Sequence, residues 1–311
     1  SFPTRRSSDL LVYYGFKTDR NDCKSLRDIQ CLPWQVIRHK GSMAVHREES
    51  QNISCNCLQE EGFETFYGTP IITTQKTLGI LEVFFSKKTV LDREWLDYFE
   101  SLAGQAAIAI ETVYLFEDLQ RSNVELNRAY EATITGWSKA LELRDEETQG
   151  HSDRVMHLAC ELAQRLGMSN EEMVHFRRGV LLHDIGKMGV PDNILLKPGP
   201  LTEDEWRIMR LHPDFSYRLL SEINYLKPAL DVPYGHHERW NGSGYPRGLK
   251  GKDIPWQARI FMVVDVWDAL ISDRPYRLGW KKEKVIEYLR ENSGVLFDPQ
   301  IVVVFLEMIG E

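Results

Sequence analysis

The sequence has few cysteines, and they form no disulfide pattern. Their number is odd, and they are Cys23, Cys31, Cys55, Cys57 and Cys160. Cys55 and Cys57 would supply half of a metal site, but no second Cys or His pair lies at zinc-finger spacing, so we expect reduced thiols. This usage favours a reducing cytoplasm.

Long apolar segments are also missing. The longest runs, Ile260–Val264 and Ile301–Leu306, fall far short of the roughly 18 residues that a helix needs to cross a bilayer. Residues 1–10 lack the apolar core of a signal peptide, and we interpret them as an assembly scar or a truncated start. The sequence therefore predicts a cytoplasmic chain without a membrane span.

Positive charge is not in excess either. Lys and Arg number 38 against 46 Asp and Glu, so the formal net charge is -8. This argues against sequence-independent binding of nucleic acid polymers. A phosphate-bearing substrate would need a local positive pocket or metal ions. With 311 residues the chain is long enough for two domains.

Residues 1–110 carry mixed strand and helix signals, which predict an α+β domain. Short strands are expected at Trp34–Ile37 and Thr69–Ile72, and Leu78–Phe85 is the strongest candidate because it is rich in β-branched and aromatic residues. A helix is expected after Asp92, where apolar residues recur at helical spacing as far as Ile110.

Residues 112–143 predict one long helix, interrupted only by Gly136. Its apolar residues lie three, four or seven apart, and they are Leu115, Leu119, Leu126, Tyr130, Trp137 and Leu141. Two interpretations stay open, a parallel coiled coil between two protomers or a helix packed on its own domain. We assign residues 111–128 to a linker helix.

Residues 129–311 predict an all-α domain because strand signals are scarce there. Ser169 is a good helix N-cap, and Thr202–Glu205 forms a capping box. Gly167 and Gly189 are expected to end helices, and Pro255 to begin one.

Residues 236–246 place two adjacent histidines before a glycine-rich turn that ends in Gly244-Tyr245-Pro246. Adjacent helical side chains point about 100° apart, so one ion would not take both, whereas a cluster of ions would. The turn suits close approach of the backbone to an anionic ligand.

Other histidines and carboxylates lie within or at the edge of segments that are predicted to be helical. Asp265 interrupts an apolar helix, and a buried unpaired carboxylate is costly enough to need a partner such as a metal. Each residue alone is weak evidence, but their joint occurrence with the glycine turn favours a shared site. The candidates are Glu147, His151, His183, Asp184, His212, His236, His237 and Asp265. We interpret His39, His46, His157 and His175 as structural or surface residues.

From about Ala129 onward the chain resembles the HD-GYP family, a branch of the HD metal phosphohydrolases that hydrolyses cyclic di-GMP. The matching motifs are Thr148–Ser152, Leu182–Lys187, Leu211–Pro213, His236–Glu238 with Gly244–Pro246, Asp265–Leu270, Ser272–Arg277 and Phe297–Pro299. The resemblance implies a bacterial signalling enzyme that converts cyclic di-GMP to the linear dinucleotide pGpG, with GMP as the alternative end product. Two alternatives remain, a non-hydrolysing dinucleotide sensor and a phosphodiesterase for mixed cyclic GMP-AMP.

The resemblance also implies the metal ligands, which are His151, His183, Asp184, His212, His236, His237 and Asp265, with Asp184 bridging two ions. Many members of the family carry Tyr at the position of Glu147, and the resemblance implies that they bind two metal ions. Members with Glu at this position are implied to bind three. The alternative role of Glu147 is a charge at a helix N-terminus. Imidazoles and carboxylates without thiolates suit Fe first and then Mn, so we expect two or three divalent ions.

Further residues are implied to act on the substrate. Asp184 and Lys187 are the predicted catalytic residues, and the predicted substrate contacts are Lys187, Tyr245, Asp268, Arg274 and Arg277. The arginines suit phosphate because their donors are paired, and Tyr245 is expected beside guanine.

Phe66–Ile110 resembles the C-terminal half of a GAF domain, a small-ligand sensor or dimerisation module. The family's first helix and strand are not recognisable, which favours packing and dimerisation over ligand binding. We therefore expect a homodimer through the linker helix and the GAF-like domain. Separately, we expect a protein partner at the Gly244–Pro246 turn.

Overall fold

The computed structural model describes residues 31–52, 61–74, 76–145, 150–273 and 278–311. The chain divides into two compact units, residues 1–124 and 125–311. The predicted thiols Cys23, Cys55 and Cys57 lie outside the described residues, as does the segment 1–10.

The first unit contains a three-stranded antiparallel sheet in the order β1-β2-β3. The strands are β1 Met43–His46, β2 Thr65–Ile72 and β3 Thr77–Phe85. Phe66 lies between Val45 and Phe84 in register and is fully buried. The strands predicted over Thr69–Ile72 and Leu78–Phe85 are confirmed.

The strand predicted at Trp34–Ile37 is wrong, because this segment lies in a helix, α1, Leu32–His39. Pro33 occupies its first turn, where a fixed φ favours a helix. Leu32 and Val36, one turn apart, are buried in the cluster around Phe66. The helical spacing of these buried residues outweighs the β propensity of Val36 and Ile37.

Helix α2, Arg93–Asp145, is 53 residues long and confirms both predicted helical segments. Asp92 caps it, since its Oδ1 accepts a hydrogen bond from the Trp95 backbone N–H at 2.8 Å. Ala103 and Ala107 pack on the sheet beside Ile71. Leu115, Leu119 and Leu126 of the apolar seam are exposed and do not pack on their own domain. The Tyr130 ring, in contrast, contacts that of Tyr225 with ring centroids 4.9 Å apart.

The described residues of the second unit are helical and contain no named strand, so the predicted all-α class is confirmed. The helices are α3 His151–Arg165, α4 Asn170–Leu181, α5 Asp192–Leu195, α6 Glu203–Met209, α7 His212–Ser221, α8 Asp231–Gly235, α9 Trp256–Ile271, α10 Lys282–Glu291 and α11 Pro299–Met308. Short 3₁₀ turns occupy Ile185–Gly189, Lys227–Ala229 and Gly251–Asp253. The N-cap predicted at Ser169 and the capping box predicted at Thr202 are both present, and Ser169 also forms a capping box with Glu172.

Helix α9 forms the centre of the second unit's core and packs on α3, α8, α10 and α11. Ile260, Phe261, Val263 and Val264 are fully buried. Burying each such side chain contributes about 1.5–3 kcal/mol, which fixes α9 against α3. This packing brings Asp265 of α9 close to His151 of α3. Among the described residues, no helix has both the length and the apolar character that crossing a membrane requires.

Candidate metal centre

Histidine and aspartate side chains of the second unit converge in two neighbouring groups. The first group contains His151, His183 and Asp265, and the second contains Asp184, His212, His236 and His237. Within each group, one donor atom per residue lies within 4.8 Å of all the others. The structure thus brings together candidates that are up to 114 residues apart in the chain, from His151 to Asp265.

Asp184 lies between the two groups. Its Oδ2 is 3.2 Å from Nε2 of His183. Its Oδ1 is 3.3 Å from Nε2 of His212 and 3.6 Å from Nε2 of His236. Because the two oxygens face different groups, this carboxylate can serve both at once.

A close packing contact aligns Asp184 with His212. The 3₁₀ turn Ile185–Gly189 follows Asp184 directly and lies against the start of α7, where His212 is the first residue. The Gly186 N–H donates to Oγ of Ser216 at 2.9 Å. A Cβ atom at Gly186 would collide with the carbonyl oxygen of His212, so only glycine permits this approach.

Backbone carbonyls orient several of the histidines. The Nδ1 atom of His183 lies 2.7 Å from the Val180 carbonyl oxygen. The Nδ1 atom of His212 lies 2.9 Å from the Met209 carbonyl oxygen, and that of His236 lies 3.1 Å from the Val232 carbonyl oxygen. A carbonyl oxygen only accepts, so each Nδ1 donates and each Nε2 carries the lone pair. The lone pairs therefore point into the two groups, as metal ligation requires.

Asp268 orients His151. Its Oδ2 lies 2.7 Å from His151 Nδ1, and both of its oxygens are bound by Arg154, at 2.8 and 3.0 Å. Burial raises the pKa of Asp268, but the hydrogen bonds from His151 and Arg154 outweigh it and lower the pKa to about 2. The buried Asp268 carboxylate thus supports His151 in the structure, and its predicted role as a substrate contact stays a prediction.

The protonation states match those of ligands. Burial raises the pKa of Asp184, yet the nearby Lys187 and His183 outweigh it and hold the pKa well below its ordinary value. Burial lowers the pKa of His236, and burial with repulsion from His236 and His212 lowers that of His237 further. Near pH 7 the aspartate is therefore ionised and these imidazoles are neutral.

The glycine turn covers the second group. The Tyr245 ring stacks on His237 with ring centroids 4.7 Å apart and an interplanar angle of 27°. Glu238 is fully buried and accepts hydrogen bonds from the backbone N–H groups of Arg247 at 2.8 Å and Leu249 at 2.9 Å. The Glu238 carboxylate thus fixes the backbone that follows the turn, while the Tyr245 ring covers His237.

Comparisons with known proteins agree with this geometry. The family model described as "HD domain" matches residues 137–301, more than half of the chain. The chain belongs to the HD domain family. A GAF domain model matches residues 5–111. The resemblance to HD-GYP phosphodiesterases and the predicted fold class, a GAF-like α+β region, a long helix and an all-α HD domain, are confirmed.

Curated relatives are named as cyclic-dinucleotide phosphodiesterases. The cyclic di-GMP phosphodiesterase response regulator RpfG of Xanthomonas campestris is 40% identical over 200 residues, covering 64% of this chain and 52% of the relative. A cyclic di-GMP phosphodiesterase of Thermotoga maritima is 43% identical over 169 residues, covering 54% and 46%. A 3'3'-cGAMP-specific phosphodiesterase 2 of Vibrio cholerae is 36% identical over 233 residues, covering 74% and 42%. The chain spans about half the length of the curated relatives it matches.

The donor set of the HD domain fits divalent metal ions. Neutral imidazoles and ionised carboxylates are the ligands that such ions take in proteins, and the described members of both groups contain no thiolate. Hydrogen bonds at Nδ1 orient four of the imidazoles, those of His151, His183, His212 and His236. The HD domain therefore carries a divalent metal site.

Three predicted site residues lie outside the described residues: Glu147, Arg274 and Arg277. Lys187 lies at the edge of the centre, with Nζ 2.6 Å from Oδ2 of Asp184.

Three supporting residues were not predicted from the sequence: Arg154 binds Asp268, Glu238 holds the glycine turn, and Asp145 contacts Lys187. Glu238 lies inside a recognised motif, and Arg154 lies one turn after His151 on α3. Asp145 ends α2, and nothing in its local sequence singled it out.

Proposed function

We propose that this chain is a metal-dependent phosphodiesterase that hydrolyses cyclic di-GMP in bacterial signalling. The observation that carries the proposal is the pair of donor groups that share Asp184, with the Lys187 ammonium 2.6 Å from the same carboxylate. Neighbouring cation sites beside a fixed positive charge suit a phosphodiester. The names of the relatives point to the same class of substrate.

We assign the ligands by group. His151, His183 and Asp265 would hold one ion together with Oδ2 of Asp184, whereas His212, His236 and His237 would hold another with Oδ1. Glu147 would hold a third ion. Iron is the first choice of metal and manganese the second, because the donors are nitrogen and oxygen and histidine dominates.

The bound ions would supply a water of lowered pKa and take up charge on the phosphate oxygens. The chain's own groups do the rest. The Lys187 ammonium would face the phosphate at the edge of the site, and Arg274 and Arg277 would clamp the phosphates through paired donors. Tyr245, stacked on His237, would flank a guanine and keep the second group covered from bulk water.

The substrate class has two candidates. Cyclic di-GMP, cleaved to pGpG and then GMP, is the first, and it is in the names of the RpfG and Thermotoga relatives. Mixed cyclic GMP-AMP is the second, because Vibrio cholerae relatives named 3'3'-cGAMP-specific phosphodiesterases are 36% identical to this chain. A non-hydrolysing sensor is disfavoured because the two groups contain all seven predicted ligands that the structure describes.

The test is hydrolysis by protein purified without oxygen and loaded with Fe(II) or Mn(II). Each dinucleotide is incubated separately, and pGpG and GMP are separated by chromatography. His212→Asn should abolish turnover, whereas His157→Asn, at an exposed position of the same domain, should preserve it. Tight binding of either dinucleotide without cleavage by the loaded wild type would favour the sensor instead.

A homodimer through α2 is also proposed. Leu115, Leu119 and Leu126 are 65%, 67% and 53% exposed, and their spacing suits the seam of a coiled coil. Apolar surface of this kind is typical of protein interfaces. Light scattering should give twice the chain mass for wild type. Leu119→Lys should shift it to one chain mass, whereas Glu117→Lys on the opposite face should not; a monomeric wild type would refute the dimer.

A further inference from the structure

The C-terminal end of α2 contacts the turn that carries Lys187. Arg144 donates from Nη1 to the Lys187 carbonyl at 2.9 Å and from Nη2 to the Val190 carbonyl at 2.8 Å. The same Nη2 lies 2.8 Å from Oδ1 of Asp192. A planar guanidinium can span several acceptors at once in this way, so it ties the middle of the turn and the residues just after it to the helix.

The neighbouring residue, Asp145, contacts the side chain of the same lysine. Nζ of Lys187 lies 2.7 Å from Oδ2 of Asp145 and 2.6 Å from Oδ2 of Asp184. The Asp145 side chain is only 3% exposed and that of Lys187 14%. Two poorly hydrated carboxylates therefore share one ammonium, and losing either partner leaves buried charge less compensated.

The two carboxylates differ in their relation to the metal centre. Asp184 belongs to the second donor group and borders the first, whereas Asp145 belongs to neither group. Cations bound by Asp184 would repel the ammonium and occupy the oxygens that now attract it. The Asp145 carboxylate stays available to Lys187 when the centre is loaded.

We propose that Asp145 is a positioning residue for Lys187, and that Arg144 fixes the backbone beneath it. The Asp145 carboxylate holds the ammonium at the edge of the site, where the proposed function needs it for phosphate. The expected effect on catalysis rests on the proposed function, whereas the contact between Asp145 and Lys187 does not depend on it.

The kinetic test is a double-mutant cycle. Asp145→Asn keeps the shape but removes the charge, and we expect kcat/KM to fall by about 10- to 100-fold, as for loss of a hydrogen bond to a charged group. In a Lys187→Met background the same change should alter kcat/KM by less than about 2-fold. Metal content should equal that of wild type in both. An equal loss in the two backgrounds, or loss of metal, would overturn the positioning role.

A matched control uses another ion pair of the same helix. Glu131 of α2 pairs with Arg178 of α4 at 2.7 Å, and neither residue belongs to a donor group. Glu131→Gln also neutralises a paired carboxylate on α2, but we expect kcat/KM within about 2-fold of wild type. If Glu131→Gln lowered kcat/KM as much as Asp145→Asn does, weakening any ion pair of α2 would be enough to impair catalysis. That result would overturn the specific role of Asp145.

A second measurement needs no substrate. Reductive methylation of the whole chain, mapped by mass spectrometry, reports how accessible each lysine amine is. Lys187 should be labelled several-fold faster in Asp145→Asn than in wild type or Glu131→Gln, and unchanged labelling would overturn the proposal. If labelling rises but wild type cleaves neither dinucleotide, the proposed function fails and the positioning contact stands.

Discussion

Replacing Gly186 with alanine should disrupt the metal centre without touching a proposed ligand. The added Cβ would lie 2.6 Å from both the backbone N and Oγ of Ser216, and it would collide with the His212 carbonyl. Two of these three atoms belong to the backbone of α7, so no side-chain rotation relieves the overlap. The turn and α7 must separate, and Asp184 moves away from His212, now 3.3 Å away.

The expected cost follows from two effects. Overpacking of a close-packed site costs about 1–3 kcal/mol. Separation of the turn from α7 also breaks the hydrogen bond from Gly186 N–H to Ser216, which is worth about 1 kcal/mol. Together the two effects cost about 2–4 kcal/mol. At about 2–4 °C per kcal/mol for a unit of this size, the melting temperature of the HD domain should fall by about 4–16 °C.

The assay is thermal unfolding followed by circular dichroism, together with metal analysis of the purified protein. Gly136→Ala is the matched control, because Gly136 lies exposed within α2 and a Cβ there meets nothing within 4 Å. It should stabilise the helix by up to about 1 kcal/mol. Gly186→Ala with wild-type melting and full metal content would refute the argument from close approach.

Three further changes test other parts of the centre. Asp268 has a folded pKa of about 2 against an ordinary 3.8, so it stabilises the metal-free protein by about 2 kcal/mol above pH 4. That stability should disappear as the pH falls through about 2, and melting curves of Asp268→Asn should show a weaker pH dependence in this range; an unchanged dependence would contradict the ion pair. Glu238→Gln should speed amide hydrogen exchange at Arg247 and Leu249, since an amide cannot accept from both N–H groups as a carboxylate does; unchanged exchange would count against its role in the turn. Glu147→Ala should lower metal stoichiometry from near three ions to near two, and an unchanged ratio would reject it as a ligand.

Local sequence patterns predicted most of the fold because they report local physics. The N-cap at Ser169 and the capping box at Thr202 can be predicted from the sequence because each depends on residues only three apart. The strand signal at Trp34–Ile37 failed where burial of Leu32 and Val36 on one helix face outweighed local propensity. Short apolar runs are ambiguous in this way because they suit either element.

The sequence by itself determined the kinds of side chain available to the centre, and the order of motifs pointed to their joint use. Only the tertiary structure decided which donors share a group, since His151 and Asp265 meet through the packing of α3 on α9. It also decided that Asp268 faces His151, and that Asp145 reaches Lys187. Contacts between residues more than 40 positions apart depend on how whole helices pack, and no local spacing in the chain records that geometry.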